Sequence, residues 1–217
     1  MKILVIDVGG TNVKVQVGGA GELRKVPSGM DLSGQIMVDL VKQATLDWVY
    51  DGVTIGYPGP VLGGLIAVEP INLGKGWLGF DFAAAFGKPV KIINDAAMQA
   101  LGSYQGGCML FLGLGTGLGT CMIFKGVIAP MELGHLPYKK GRSFEDYVGN
   151  NGMKRMGRRK WQDSLLDVVA RLRAALLPDY IVLGGGNVKK LDEMPPGCRM
   201  GDNDNAFLGG VRLWEKG

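Results

Sequence analysis

Short apolar runs that end in glycine or proline turns alternate along the chain with segments of helical periodicity. The runs "KILVID", "VTIGY", "VKIIN" and "YIVLG" are rich in β-branched residues and are followed by turn-forming residues, which predicts buried strands. Residues 31–48, 164–177 and 205–216, and the segment "AAMQALGSY" after "IIND", have apolar positions spaced for helices. Strands that alternate with helices predict an α/β layered fold.

Two of the strand–turn–strand units resemble each other. "VIDVGGTNVKVQV" and "FLGLGTGLGTCMIF" align so that Asp7 matches Gly113 and Gly9 matches Gly115. An internal repeat of this kind predicts two related halves that face a shared cleft, each with one glycine turn. The alternative is a chance similarity between two glycine-containing hairpins.

Both glycine turns are candidate phosphate loops. The chain contains no G-x-x-x-x-G-K-[ST], and residues 113–119 do not form G-x-G-x-x-G, so neither common phosphate-loop pattern explains the second turn. The backbone N–H groups of such a hairpin turn can form an anion-binding concavity, to which Thr116 and Thr120 would add hydroxyl donors. In the first turn, Asp7 supplies a carboxylate where a phosphate-bound Mg²⁺ needs an oxygen ligand. The alternative for Asp7 is a turn cap.

Composition narrows the possible functions only a little. The chain has 217 residues, which suits one large or two small domains, and its 37 glycines indicate many tight turns. A net charge of +4 without a long basic run gives no indication of a nucleic-acid partner. Three widely spaced cysteines argue against a disulfide framework, and "MKILVIDVGG" is typical of a first strand rather than of a signal peptide. Because no apolar run reaches the roughly 18 residues of a membrane span, we expect no membrane partner and a cytoplasmic protein.

Five motifs in fixed order along the chain resemble a known family. "DVGGT", "NDAAMQALG", "LGTGLG", "ELGH" and "LGGG" are similar to motifs of the ROK group (repressor, open reading frame, kinase) of sugar kinases in the actin/hexokinase superfamily. The resemblance implies an α/β fold of two actin/hexokinase-like (ribonuclease H-like) domains that flank a cleft. The smaller domain would comprise residues 1–101, with a C-terminal helix at about 204–217 packed back on it. The larger domain would comprise residues 102–203.

A narrower resemblance is to polyphosphate glucokinases. "YPGPVLGGLIAVEPINLGKGWLGFD" and "RKWQDSLLDVVARLRAALLPDYIVLGGGNVKK" are similar to segments of these enzymes, which transfer phosphate to glucose from inorganic polyphosphate and in many cases from ATP. The wider ROK group carries a Cys-rich zinc motif after its Gly-His pair, whereas no cysteine follows His135 within "LPYKKGRSFEDYVG", so we expect no zinc. No helix-turn-helix precedes the first strand, which favours a kinase over a repressor.

The implied function is therefore glucokinase, with polyphosphate and/or ATP as the donor and Mg²⁺ as the cofactor. The alternatives are a non-catalytic sugar sensor of the same fold and a kinase for another hexose, such as mannose or glucosamine. The "ELGH" pattern disfavours an acetate- or glycerol-type kinase. Because family members are usually dimers, the resemblance also implies a homodimer.

The resemblance assigns roles to particular polar residues. Asp95, where a buried strand ends and a helix begins, would be the general base that accepts the proton of the sugar 6-hydroxyl. Without the other motifs, a helix N-cap would be the simpler role for Asn94 and Asp95. The sugar hydroxyls would be bound by Asn72, Asn94, Glu132, His135 and Glu145. Asn72 is equally well explained as a turn residue.

Phosphate and nucleotide binding would belong to the three glycine motifs. Asp7 would hold Mg²⁺ through water, and the metal would neutralise charge on the transferred phosphate. The other phosphate- or nucleotide-binding residues would be Gly9, Gly10, Thr11, Gly115, Thr116, Gly117, Gly184, Gly185 and Gly186. The last three match the position where relatives hold adenosine, although a strand-to-helix turn explains them equally well.

The basic segment "KRMGRRK", residues 154–160, has two interpretations. Most charge runs are solvated surfaces. A lysine- and arginine-lined groove would also attract polyphosphate, and Lys75, Lys189 and Lys190 would extend it.

Overall fold

The computed structural model of the chain describes residues 1–19, 21–202 and 204–215, which divide into two compact units. One unit comprises Met1–Gly102 together with the segment from Ala206, and the other comprises Ser103–Asn205. Positions 20, 203, 216 and 217, which the predicted domain ranges include, lie outside the described residues. A search of the described helices finds none that is both long enough and apolar enough to cross a membrane.

The α-helices differ in length and are listed here for both units. In chain order they are α1 (Gly34–Ala44), α2 (Phe82–Phe86), α3 (Asp95–Ser103), α4 (Glu145–Val148), α5 (Asn150–Met156), α6 (Arg158–Leu176) and α7 (Asn205–Arg212). Two short 3-10 helices span Leu133–His135 and Val188–Lys190.

The first unit is built on a five-stranded sheet. Its strands are β1 (Ile3–Val8), β2 (Asn12–Val17), β3 (Arg24–Pro27), β4 (Gly52–Tyr57), β5 (Val61–Leu62), β6 (Leu65–Ile66) and β7 (Val90–Asn94). The sheet order is β3-β2-β1-β4-β7, and β5 and β6 form a separate hairpin. β1, β4 and β7 are parallel, whereas β2 is antiparallel to both β1 and β3. All of β4 is buried, as expected for a central parallel strand that is covered on both faces.

The helices α1 and α7 lie within their predicted ranges but are shorter than predicted. Residues 31–48 contain α1, which begins only after Ser33, because the Ser33 hydroxyl accepts a hydrogen bond from the Ile36 N–H at 3.2 Å. In α7, a Cβ on Gly209 would lie 1.8 Å from the Met98 carbonyl oxygen of α3, so glycine allows the two helices to touch. The Thr54 hydroxyl of β4 donates to the Gly210 carbonyl at 2.8 Å, which fixes α7 against the sheet.

The second unit repeats the topology of the first. Its strands are β8 (Cys108–Leu114), β9 (Leu118–Phe124), β10 (Val127–Met131), β11 (Tyr180–Gly184) and β12 (Cys198–Met200), in the order β10-β9-β8-β11-β12. The central strand β8 is antiparallel to β9 and parallel to β11, as β1 is to β2 and β4. Asp7 and Gly113 both occupy the position before the last in their central strands. The predicted repeat is therefore confirmed in the strand topology.

The core of the second unit is formed by its sheet and by α6. The buried face of α6 carries Trp161, Leu165, Val168, Val169 and Leu172. The helix begins at Arg158, six positions before the predicted start at residue 164, since Trp161 belongs to the same buried face. The Trp161 indole N–H donates to the Val148 carbonyl at 2.6 Å. Leu177, with a left-handed φ of 49°, ends the helix before Pro178.

Candidate functional site

The first glycine loop joins β1 to β2 and comprises Gly9, Gly10 and Thr11. The Gly9 N–H donates to the Asn12 carbonyl at 3.2 Å, and a Cβ on Gly9 would lie 2.8 Å from that oxygen. A side chain at Gly9 is therefore excluded by the turn itself. Gly10 and Thr11 are exposed. Within the described residues, their N–H groups donate no hydrogen bond, so both remain available to an anion.

Asp7 precedes this loop and is largely buried, with 17% of its side chain exposed. Lys14 faces it across the β1–β2 pair, with 3.7 Å between Lys14 Nζ and Asp7 Oδ2. Burial raises the pKa of the Asp7 carboxyl, and Lys14 counteracts part of that rise. A largely buried carboxylate beside N–H groups that are available to an anion suits Mg²⁺, which commonly binds one or two carboxylates together with water and phosphate oxygens.

Asp95 lies on the same edge of the first sheet as Asp7. The register pairs Asp7 with Gly56, Gly56 with Ile93, and Tyr57 with Asn94, so β1 and β7 end side by side across β4. Two strand spacings amount to roughly 10 Å. Carboxyl ends of parallel strands form the usual ligand-binding edge of α/β sheets.

Asn94 and Asp95 also start α3, as the capping alternative predicted. Asn94 Oδ1 accepts from the Ala97 N–H at 3.1 Å, and Asp95 Oδ1 accepts from the Ala96 N–H at 2.7 Å. Asn94 Nδ2 donates to the Gly59 carbonyl at 3.1 Å. These bonds fix both side chains at the sheet edge and do not conflict with a catalytic role for Asp95.

Asn72 lies away from the regular elements of the first unit. It is an exposed turn residue between β6 and α2, and the following Leu73 is buried. The structure brings it into no hydrogen bond among the described residues. Its assignment to the sugar site stays a prediction.

The second glycine loop, residues 115–117, joins β8 to β9. Thr116 is exposed, and a Cβ on Gly117 would lie 2.5 Å from Glu145 Oε2. In the described part of the chain, the N–H groups of Thr116 and Gly117 donate no hydrogen bond. The loop therefore presents unpaired donors, as the first loop does, next to a predicted sugar-binding carboxylate.

Thr120 does not take part in this loop, contrary to its predicted role as a hydroxyl donor for phosphate. It is a residue of β9 with 2% exposure, and its hydroxyl donates to the Met131 carbonyl at 2.5 Å. The same oxygen accepts from the Leu133 N–H at 3.0 Å. Thr120 thus holds the backbone on both sides of Glu132.

Glu132, His135 and Glu145 come together in the second unit. His135 Nε2 is 3.7 Å from Glu145 Oε1, and the His135 side chain is 67% exposed. Burial raises the pKa of Glu132; His135 lowers it and Glu145 raises it further. Gly134 brings this segment against β9, because a Cβ there would lie 2.9 Å from the Leu118 carbonyl oxygen. Two carboxylates and an imidazole are suitable partners for sugar hydroxyls.

The third glycine motif ends β11. Gly185 has a φ of 83°, and a Cβ on it would lie 2.4 Å from the Leu114 carbonyl oxygen, so it packs against the end of β8. Gly184 is the last residue of β11, and Gly186 is exposed with open space around its Cα. The turn accounts for glycine at position 185. The open space at Gly186 leaves room for a ligand.

The basic segment 154–160 crosses from α5 into α6. Arg155 donates to the Asp146 carbonyl at 2.7 Å, and Arg158 donates to the Lys190 carbonyl at 2.6 Å and pairs with Asp192. The Arg158 bond joins the segment to Lys190, and the predicted basic groove stays a prediction. The exposed basic residues of this surface are Lys154, Arg155, Arg158, Arg159, Lys160, Lys189 and Lys190. Lys75 belongs to the other unit.

Known proteins resemble the chain in both sequence and structure, although no family model matches it. A polyphosphate glucokinase from Mycobacterium tuberculosis (strain H37Rv) is 27% identical over 224 residues, covering 88% of this chain and 80% of the relative. The crystal structure of an inorganic polyphosphate/ATP-glucomannokinase from Arthrobacter sp. strain KM is 26% identical, with a TM-score of 0.81, and covers 98% of this chain and 97% of that chain.

The structure of a ROK family glucokinase from Streptomyces griseus, in complex with glucose and AMPPNP, has a TM-score of 0.75 at 17% identity. It covers 98% of this chain and 99% of that chain. This likeness confirms the predicted actin/hexokinase-like α/β fold. Together with the repeated sheets, the comparisons show that the chain is similar to polyphosphate glucokinases and to ROK family sugar kinases, and they support a sugar kinase.

Proposed function

We propose that the chain is a glucokinase that transfers a phosphoryl group from polyphosphate or ATP to the 6-hydroxyl of glucose. The observation that carries this proposal is the common sheet edge of Asp7 and Asp95, which meets a loop with unpaired N–H donors. Phosphoryl transfer needs a base for the attacking hydroxyl and positive or dipolar groups for the phosphate. Both are available on this edge of the first unit.

Asp95 is the general base in this proposal. It accepts the proton of the sugar 6-hydroxyl as the oxygen attacks the terminal phosphorus of the donor. Its hydrogen bond from the Ala96 N–H, at 2.7 Å, holds the carboxylate in one orientation. Asn94 is fixed beside it by its own bonds to Ala97 and Gly59.

The remaining sugar hydroxyls bind polar side chains of the second unit. Glu132, His135 and Glu145 supply two acceptors and an imidazole that both donates and accepts. We include Asn72 of the first unit among the sugar-binding residues. Glucose is supported as the acceptor by the name of the M. tuberculosis relative, whereas the Arthrobacter glucomannokinase supports mannose as a second acceptor.

The glycine loops bind the donor in this proposal. Gly10 and Thr11 donate to the transferred phosphate, and Thr116 and Gly117 donate to the rest of the donor. Gly186, at the third motif, contacts adenosine when ATP is the donor. Asp7 would hold Mg²⁺ through water, and the metal supplies positive charge to the phosphate oxygens. We also propose that the chain acts in the cytoplasm as a homodimer, which sedimentation of the purified protein tests.

A coupled assay for glucose 6-phosphate tests the proposal. The purified chain is given glucose, mannose or glucosamine with Mg²⁺ and either ATP or polyphosphate. Production of glucose 6-phosphate with either donor supports a glucokinase, and turnover of another hexose alone identifies a different hexose kinase. Hexose binding without turnover under any condition would instead favour a sugar sensor.

The variant Asp95→Asn separates binding from chemistry. The amide keeps the size of the side chain and can still accept from the Ala96 N–H, but it cannot take a proton. We expect turnover to fall by about 10³-fold or more, while the Kd for glucose changes little. Retained turnover would exclude Asp95 as the base.

A further inference from the structure

Two asparagines donate hydrogen bonds to the carbonyl groups of the second glycine loop. Asn187, which is 5% exposed, donates through Nδ2 to the Gly115 carbonyl at 3.0 Å and through its N–H to the Leu114 carbonyl at 3.0 Å. The Asn150 N–H donates to the carbonyls of Gly115 and Thr116, each at 3.1 Å. Asn187 Nδ2 also donates to Asn150 Oδ1 at 2.8 Å, which links the two asparagines.

These bonds occupy carbonyl groups of the loop and none of its N–H groups. Three consecutive carbonyls, from Leu114 to Thr116, accept hydrogen bonds from the protein. In the same loop, the N–H groups of Thr116 and Gly117 donate no hydrogen bond to any described residue. A loop that binds an anion needs this arrangement, because outward carbonyl dipoles would repel the phosphate.

The first glycine loop has the same arrangement with a different residue. The Ser28 hydroxyl donates to the Gly9 carbonyl at 2.6 Å, and the Ser28 N–H donates to the Thr11 carbonyl at 3.2 Å. The unpaired N–H groups belong to Gly10 and Thr11. Ser28 follows β3, whereas Asn187 follows β11, so two different elements provide the same support.

We propose that Ser28 and Asn187 are positioning residues that orient the two glycine loops for phosphate, with Asn187 acting together with Asn150. The inference rests on the proposed phosphate-binding function of these loops. It adds residues that touch neither substrate and act through the backbone. Its consequence is that loss of either side chain weakens the handling of phosphate more than it weakens the binding of hexose.

The variant Asn187→Ala removes the side-chain bonds to Gly115 and Asn150 together. The matched control is Asn205→Ala, because Asn205 Nδ2 also makes a side-chain hydrogen bond in the second unit, to Ser103 Oγ at 3.0 Å. Within the described part of the chain, Asn205 makes no hydrogen bond to a glycine loop. The probe is inorganic tripolyphosphate, with its Kd measured by calorimetry. Hexose binding is followed separately by tryptophan fluorescence, and folding by thermal melting.

We expect Asn187→Ala to raise the Kd for tripolyphosphate and the KM for the donor by about tenfold, since loss of a buried hydrogen bond typically has an effect of this order. The Kd for glucose should change less than twofold, and Asn205→Ala should leave both affinities unchanged. Equal affinities in Asn187→Ala and the control would overturn the inference, as would a parallel loss of hexose binding. If Asn187→Ala does not fold, Asn150→Ala removes only the Oδ1 acceptor and must show the same selective loss.

Ser28 permits a rescue experiment on the first loop. Ser28→Ala removes the hydroxyl, whereas Ser28→Thr retains it. We expect kcat to fall about tenfold in Ser28→Ala, with an unchanged KM for glucose, and to recover in Ser28→Thr. Equal kcat values for the alanine and threonine variants would overturn the role of Ser28.

The outcomes separate this inference from the proposed function. If the unsubstituted chain binds tripolyphosphate but phosphorylates no hexose, the kinase proposal fails, while the calorimetric comparison of Asn187→Ala still decides the positioning role. If the unsubstituted chain phosphorylates glucose and Asn187→Ala behaves as the control does, only the positioning role fails. Absence of binding of both ATP and tripolyphosphate to the unsubstituted chain would overturn the inference itself.

Discussion

Lys14 lies directly opposite Asp7 in the β1–β2 pair, and its Nζ is 3.7 Å from Asp7 Oδ2. Burial raises the pKa of the Asp7 carboxyl, and this lysine offsets only part of the effect. The folded chain therefore binds the Asp7 proton more tightly than the unfolded chain does. It follows that Asp7 favours folding at low pH and loses that contribution as the pH rises through its folded pKa.

Replacing Asp7 by asparagine should consequently stabilise the protein at neutral pH. We expect Asp7→Asn to raise the Tm at pH 7 by about 2–4 °C in metal-free buffer, because the variant buries no charge. The gain should disappear near pH 3, where the native carboxyl is protonated, and the variant should lose most phosphotransfer. Thermal melts across this pH range test the prediction. Asp39→Asn, on the exposed face of α1, is the control and should show no comparable gain.

The Thr120 hydroxyl should fix the backbone on both sides of Glu132 and so support sugar binding. Thr120→Val keeps the shape of the side chain but leaves the Met131 carbonyl and the Leu133 N–H without their hydroxyl partner. We expect a loss of about 1–3 kcal/mol in the free energy of unfolding. The KM for glucose should rise several-fold, with a smaller change in the KM for the donor.

Thr120→Ser retains the hydroxyl and provides the comparison. Denaturant unfolding and the two KM values should then return close to those of the unsubstituted protein. A valine variant with unchanged sugar KM would show that the backbone at Glu132 does not depend on this hydroxyl.

The repeat of the two sheets was predictable because each half leaves a local signal. An apolar run, a glycine turn and a second apolar run are contiguous in sequence, and the register of Asp7 with Gly113 could be read directly from the alignment. The Thr120 hydroxyl was predicted wrongly because its nearest glycine loop is close in sequence, whereas its partners lie across the β9–β10 pair.

The side chains that hold the loops gave no local signal. Ser28 is 19 positions from Gly9, and Asn187 is 72 positions from Gly115. Sequence separations of this size match neither helical nor strand periodicity, so a single sequence does not predict the contacts. Both contacts depend on how the strands pair. For the same reason, the sequence did not predict the short edge strands β10 and β12 or the helices α4 and α5.

Gly185 should be necessary for the position of the third glycine motif. Its φ of 83° is unfavourable for other residues, and a Cβ would lie 2.4 Å from the Leu114 carbonyl oxygen. We expect Gly185→Ala to lower the free energy of unfolding by about 1–3 kcal/mol and to displace the end of β8, which raises the KM for the donor. Denaturant unfolding and donor kinetics measure both effects.

Gly186→Ala provides a stability control in the same turn. A Cβ at Gly186 meets no atom within 4 Å, and its φ is not in the left-handed region. Its midpoint of unfolding should therefore stay close to that of the unsubstituted protein. Equal destabilisation by both alanines would show that close packing against Leu114 is not the cause.

The exposed part of the basic surface should distinguish polyphosphate from ATP. Arg155 and Arg158 are already bound to backbone carbonyls, whereas Arg159 and Lys160 are exposed and carry no ion pair among the described residues. A long polyanion interacts with more of this surface than a nucleotide does. We expect Arg159→Gln with Lys160→Gln to raise the KM for long-chain polyphosphate several-fold and to leave the KM for ATP unchanged.

Salt provides an independent measure of the same interaction, since screening weakens exposed charges. The KM for polyphosphate should rise with NaCl concentration in the unsubstituted protein and should rise less steeply in the double variant. Lys25→Gln with Lys88→Gln removes the same charge from exposed positions of the first unit and should preserve the original salt dependence. If both double variants change the two donors equally, the basic surface contributes only through net charge and does not contact the polyphosphate chain.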